Sequence, residues 1–137
     1  MAGRYLPSMA VVVAIDAGTT GVRSMAFGED GLPVGASYRE FTQHDPRNGW
    51  VEHDATEIWE AVRATLAELV RDLEAPIAAI GITDQRETVV AWDRISGEPL
   101  ARAIVWQDRR TAPLCEELRA AGHGEAVREA TGLLLDP

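Results

Sequence analysis

Residues 10–15 are apolar without a break and rich in β-branched side chains, the pattern of a strand buried on both faces. A turn over 18–21 leads into a second strand at 22–28. Glu29-Asp30-Gly31 makes a tight turn, and 34–42 gives a third strand, so an antiparallel meander hangs from one buried strand. Residues 44–53 form a loop marked by Asp45-Pro46 and Asn48-Gly49. The period then changes to helical. Asp54 is placed to cap, with Glu57 completing a capping box, and Ile58, Val62, Leu66, Leu69 and Leu73 fall on one stripe. Pro76 stops continuation. A second apolar run, 77–83, predicts another buried strand, followed by strands at 88–92 and 101–106 across the turn Ser96-Gly97-Glu98-Pro99. Pro113 opens a second helix that runs to about Ala121 and stops at Gly122. A short helix over 125–130 stops at Gly132. Residues 1–9 read as a leader and 10–137 as the body. Leu133-Leu134-Leu135-Asp136-Pro137 is abruptly apolar for a chain end, which suggests a truncation.

Composition narrows the chemistry. The chain has 137 residues, 46% hydrophobic and 26% charged, a soluble globular balance in one domain-sized piece. A net charge of -9 disfavours nucleic acid as a partner. All 13 basic residues are arginine, so a Walker-type phosphate lysine and a Schiff-base lysine are both excluded from these residues. The single cysteine, Cys115, reads as buried filler and fits a reducing compartment. The apolar run ending at Asp16 is too short to span a bilayer, and a cytoplasmic location is the expectation.

Three polar clusters sit at strand ends. In Asp16-Ala17-Gly18-Thr19-Thr20-Gly21 a carboxylate leaves a buried strand into a turn of small residues, hydroxyls and free amides. Such a turn holds phosphate oxygens, and a carboxylate tolerates them only across a divalent cation, so Asp16 points to Mg²⁺. Arg23 adds a cation for a transferring phosphoryl group. The same residues also make a plain hairpin with a polar turn. In Thr83-Asp84-Gln85-Arg86-Glu87-Thr88 a fork of donors stands beside an acceptor, a pairing that suits vicinal hydroxyls. A solvated loop with a surface ion pair is the alternative. In the third, Trp106 offers an apolar wall for the carbon side of a small polyol or, equally, a core side chain. Asp108 with Arg109 or Arg110 reads as a structural ion pair. His44 and His53 are read as structural rather than metal-binding, and Trp50 and Trp59 as packing the loop onto the first helix.

Taken together, Asp16-Ala17-Gly18-Thr19-Thr20, Gly49-Trp50-Val51-Glu52-His53-Asp54 with Glu57-Ile58-Trp59, Ile80-Gly81-Ile82-Thr83-Asp84-Gln85-Arg86-Glu87-Thr88 and Ile104-Val105-Trp106-Gln107-Asp108-Arg109-Arg110-Thr111 resemble the amino-terminal region of the FGGY carbohydrate kinase family, and of its glycerol kinases in particular. The resemblance runs in the family's order from Val11 to the end of the chain. It implies an α/β, ribonuclease-H-like, actin-type ATPase fold with a mixed sheet and flanking helices, of which this chain is part of the first lobe. It implies ATP and Mg²⁺ as cofactors and glycerol or a similar polyol as substrate. Asp16 would help hold Mg²⁺. Gly18, Thr19, Thr20 and Arg23 would face the nucleotide, and Arg86, Glu87 and Trp106 the polyol. No catalytic residue is assigned here, because the family's base, an aspartate, lies beyond Pro137; residues 1–137 alone are therefore expected to be inactive. The full-length protein would be a homo-oligomer. Departures from the commoner pattern are Gly21 for serine, Asp84 for asparagine and Ala17 for glutamine. They leave open a kinase for erythritol, ribulose or xylulose, and a non-catalytic binding protein with a kinase fold.

Overall fold

The computed structural model describes residues 10–137; the leader at 1–9 lies outside them. These residues divide into two compact units, 10–42 with 54–85, and 43–53 with 86–137.

The first unit is a four-stranded sheet with one helix. Strands β1 (Val11–Ala17), β2 (Gly21–Phe27) and β3 (Pro33–Glu40) form the expected meander. The Gly28 amide donates to the Leu32 carbonyl at 3.0 Å to close the second turn, where Gly31 takes φ 75°. In the second unit β4 (Glu52–His53) pairs with β6 (Ala103–Ile104); in the first, α1 is Ala55–Asp72 and β5 is Ile77–Thr83. β5 pairs in parallel with β1, giving the order β3-β2-β1-β5.

One face of this sheet carries the core. Val11, Val13 and Ile15 from β1 and Val22 and Ala26 from β2 pack with Ala61 and Leu69 of α1. Ile58, Val62, Leu66 and Leu73 pack at the edge of that cluster, so the helical stripe faces the sheet as its spacing requires. A polar pair sits inside. Ser24 and Thr65 are fully buried, with their hydroxyl oxygens 2.9 Å apart. The Thr65 hydroxyl donates to the Ala61 carbonyl at 2.9 Å, so its hydrogen is committed and Ser24 donates to it.

Two expectations are corrected here. β1 and β5 are not buried on both faces among the described residues. Val12 is 47% exposed, and β5 is exposed from Ala78 to Thr83, with Ile82 at 70%. An unbroken apolar run does not report how many layers cover it, and α1 covers only the β1–β3 side. The capping box is half made. Asp54 Oδ1 accepts from the Thr56 amide at 2.8 Å, but Glu57 accepts from the Thr42 amide at 2.9 Å.

The second unit has little regular sheet. The strands expected at 88–92 and 101–106 shrink to β6 and to single bridges, Val89 with Ile104 and Trp92 with Pro99. Helices α2 (Ala112–Ala120) and α3 (Gly124–Thr131) follow, with Gly122 at φ 85° and Gly132 at φ 75° as their stops. Cys115 is buried. No helix among the described residues is long and apolar enough to cross a membrane.

Candidate functional site

The sheet register sets four polar residues in a row. Asp16 on β1 lies directly opposite Arg23 on β2 and Thr83 on β5, and Arg23 lies opposite Tyr38 on β3. Strand alternation turns all four away from the core, since Ile15, Val22 and Ser24 take the α1 side. A carboxylate, a guanidinium and a hydroxyl thus share one solvent-facing stripe at the carboxyl ends of β1 and β5. The Arg23 guanidinium lies 5.3 Å from the centroid of the Tyr38 ring.

Residues 18–21 turn tightly at the end of that row, the Gly18 amide donating to the Gly21 carbonyl at 3.0 Å. A Cβ on Gly18 would stand 3.3 Å from that carbonyl and 3.8 Å from an Asp16 carboxylate oxygen, so glycine keeps the space beside the carboxylate open. Thr19 and Thr20 lie in the same turn. Sequence reasoning passed over Gln85 here. Its side-chain amide donates to the Gly18 carbonyl at 2.8 Å and so fixes the turn from the end of β5. A long polar residue after a strand gives no hint of such a partner 67 positions away. Among the described residues no three His, Cys, Asp or Glu side chains group as metal ligands. A single carboxylate beside an open turn is what Mg²⁺ needs when phosphate and water supply its other ligands, so the donor set fits that ion.

In the second unit Arg86, Glu87 and Trp106 sit on adjoining segments. The Trp106 amide donates to the Thr88 hydroxyl at 3.3 Å, and Val89 and Ile104 exchange both backbone hydrogen bonds at 2.9 Å. Arg86, Glu87 and Trp106 are all exposed, Trp106 at 50%, which removes core packing as its role. Glu87 has φ 60° and is the one described residue other than glycine with positive φ. That left-handed backbone costs roughly 1–2 kcal/mol in an L-residue and concentrates at functional positions.

A buried ion cluster holds the Trp106 loop. Asp108 is 4% exposed and accepts from the Val51 amide at 2.7 Å, the Arg110 amide at 2.8 Å and the Arg110 guanidinium at 2.9 and 2.8 Å. Arg110 also reaches Glu52 at 2.8 Å and lies 3.9 Å above the Trp50 ring. Burial pushes the Asp108 carboxyl up, yet the hydrogen bonds from Arg110 and Val51 and the Arg110 charge outweigh it and leave the group below its ordinary value. The structural ion pair expected at Asp108 is therefore with Arg110, while Arg109 grips Asp136 at 2.9 Å. Trp50 belongs to this cluster, in ring contact with Arg47 and Arg110, and Trp59 is 58% exposed. His53 is buried and its Nε2 lies 2.6 Å from Gln43 Oε1.

Comparison with known proteins gives the family. The profile of the FGGY family of carbohydrate kinases, N-terminal domain, matches residues 11–137. The chain belongs to the FGGY family. A glycerol kinase of Dechloromonas aromatica (strain RCB) is 57% identical over 128 residues, which are 91% of this chain and 26% of that protein. A glycerol kinase of Rhodopirellula baltica (strain DSM 10527 / NCIMB 13988 / SH1) is 52% identical over 132 residues, 94% of this chain and 24% of that protein. The structure of Plasmodium falciparum glycerol kinase with ADP superposes with a TM-score of 0.85 at 34% identity, covering 94% of this chain and 26% of that one. The chain thus spans about a quarter of the length of the FGGY relatives it matches. Its fold is the α/β, ribonuclease-H-like, actin-type fold of these kinases, represented by a mixed sheet with flanking helices.

Proposed function

We propose that the protein containing this chain phosphorylates glycerol from ATP, giving glycerol 3-phosphate, and that residues 10–137 are the amino-terminal part of its first lobe. The observation that carries this reading is the Arg86-Glu87 pair, with Glu87 held in a left-handed conformation close to the Val89–Ile104 bridge, two residues before Trp106. A guanidinium and a carboxylate side by side offer donors and an acceptor to adjacent hydroxyls, and an exposed indole offers an apolar wall to the carbon chain. The identities above 50% to two glycerol kinases support the same substrate.

Asp16 would hold Mg²⁺ through water, Thr19 and Thr20 would receive the phosphates with their hydroxyls, and Gly18 would leave room for them beside Asp16. When bound, the ion supplies charge neutralisation between the phosphates. Arg23 would meet charge on the transferred group. Arg86 and Glu87 would bind the hydroxyls of the acceptor. The base that takes the hydroxyl proton lies outside residues 1–137. The enzyme works as a cytoplasmic homo-oligomer in this reading.

The test is ADP release by the full-length gene product with MgATP and glycerol, erythritol, ribulose or xylulose. Glycerol should lead in kcat/KM by at least about tenfold, since hydroxyl-pairing sites discriminate by up to about 10⁴. Preference for another acceptor would replace glycerol with that acceptor. No turnover with any of them would leave a binding protein with a kinase fold.

A further inference from the structure

Gly21 and Tyr38 are fitted to each other beside Arg23. Gly21 lies on the face of β2 turned away from α1, yet it is buried, because Tyr38 leans along β3 and covers it. A Cβ on Gly21 would stand 2.7 Å from the Tyr38 hydroxyl, 2.8 Å from its Cζ and 2.6 Å from the Arg39 carbonyl. A larger residue would have to displace both the ring and the β3 backbone at Arg39. The same ring is the direct cross-strand neighbour of Arg23 and lies 5.3 Å from its guanidinium. One phenol therefore covers the glycine and carries the cation.

We propose that Tyr38 is a positioning residue for Arg23: the ring, admitted by Gly21, holds the guanidinium on the Asp16 row in the orientation that meets a phosphoryl group. This rests on the phosphoryl-facing role proposed for Arg23. An exposed arginine otherwise spreads over many rotamers, and freezing it during the reaction raises the barrier. The aromatic face orders it beforehand by cation–π attraction. The ring is 45% exposed, so its removal leaves the core of the sheet intact.

The experiment is a double-mutant cycle in the full-length gene product, read as kcat and as KM for ATP and for glycerol. Tyr38→Leu should lower kcat by about two- to fivefold, the value of an exposed cation–π contact, with KM for glycerol unchanged. Tyr38→Phe keeps the ring and should stay near wild type. Gly21→Ala should match or exceed the loss in Tyr38→Leu. In an Arg23→Ala background Tyr38→Leu should have no further effect. An unaltered kcat in Tyr38→Leu overturns the proposal, and so does an equal loss with and without Arg23, which marks a purely structural role. A wild-type protein without ATP turnover fails differently: it overturns the kinase reading, and the role of Tyr38 with it.

Discussion

Asp108→Asn removes one charge from a buried ion cluster. The carboxylate accepts four hydrogen bonds, three of them from Arg110 and one from the Val51 amide. An asparagine keeps one acceptor oxygen but turns an NH₂ toward donors, so at least one buried donor loses its partner. Breaking a buried ion pair from one side costs about 3–5 kcal/mol. Arg110 is 18% exposed and retains Glu52, which brings the expected loss to about 2–4 kcal/mol. Urea unfolding followed by tryptophan emission is the assay, since Trp50 stacks on Arg110 and reports the cluster directly. The pH dependence adds a second check. The Asp108 carboxyl titrates below its ordinary value when folded, so its contribution is fully present above the unfolded value near 3.9 and fades as pH falls through the lower folded value. The stability gap between wild type and Asp108→Asn should stay constant from about pH 7 to 5 and narrow below about pH 4. A gap under about 0.5 kcal/mol at pH 7, the size of an exposed pair, would refute the reasoning.

Two further substitutions test the core and the polyol side. Thr65→Val leaves the buried Ser24 hydroxyl without its acceptor and should cost about 1–3 kcal/mol, whereas Ser24→Ala with Thr65→Val should recover to within about 1 kcal/mol of wild type. A double variant no better than the single one, by thermal unfolding, would contradict that pairing. Glu87→Gly relieves a left-handed backbone and should raise stability by about 0.5–1 kcal/mol after the entropy of the added glycine, while kcat/KM for glycerol falls by about 10- to 100-fold. Loss of stability together with full activity would show that the strain serves no substrate contact.

The legible parts of the fold were those fixed by local chemistry. Asp54 as cap, the α1 stripe, the Glu29-Asp30-Gly31 turn and the glycine stops at 122 and 132 follow from side-chain length, period and φ alone. What escaped depends on partners distant in the chain. Glu57 found the Thr42 amide instead of its own helix end, and Gln85 found Gly18. The runs at 10–15 and 77–83 are apolar enough for burial on both sides, but burial is set by what packs against them, and α1 covers one side of β1 only. Tyr38 carried no motif. Its place beside Arg23 comes from the β2–β3 register, which shifts at Ala26 and Phe27 and cannot be counted from the turn. The proposed site residues are legible as polar types at strand ends, whereas the pairing of Asp16 with Arg23 comes from the β1–β2 register, which alternation alone does not give.

Steady-state kinetics of Arg86→Ala in the full-length gene product tests the polyol assignment most directly. Loss of charge-assisted hydrogen bonds to a hydroxyl is worth about 1.5–3 kcal/mol, so KM for glycerol should rise by about 10- to 100-fold with KM for ATP within about twofold of wild type. An unchanged KM for glycerol, or an equal rise in both constants, would contradict it.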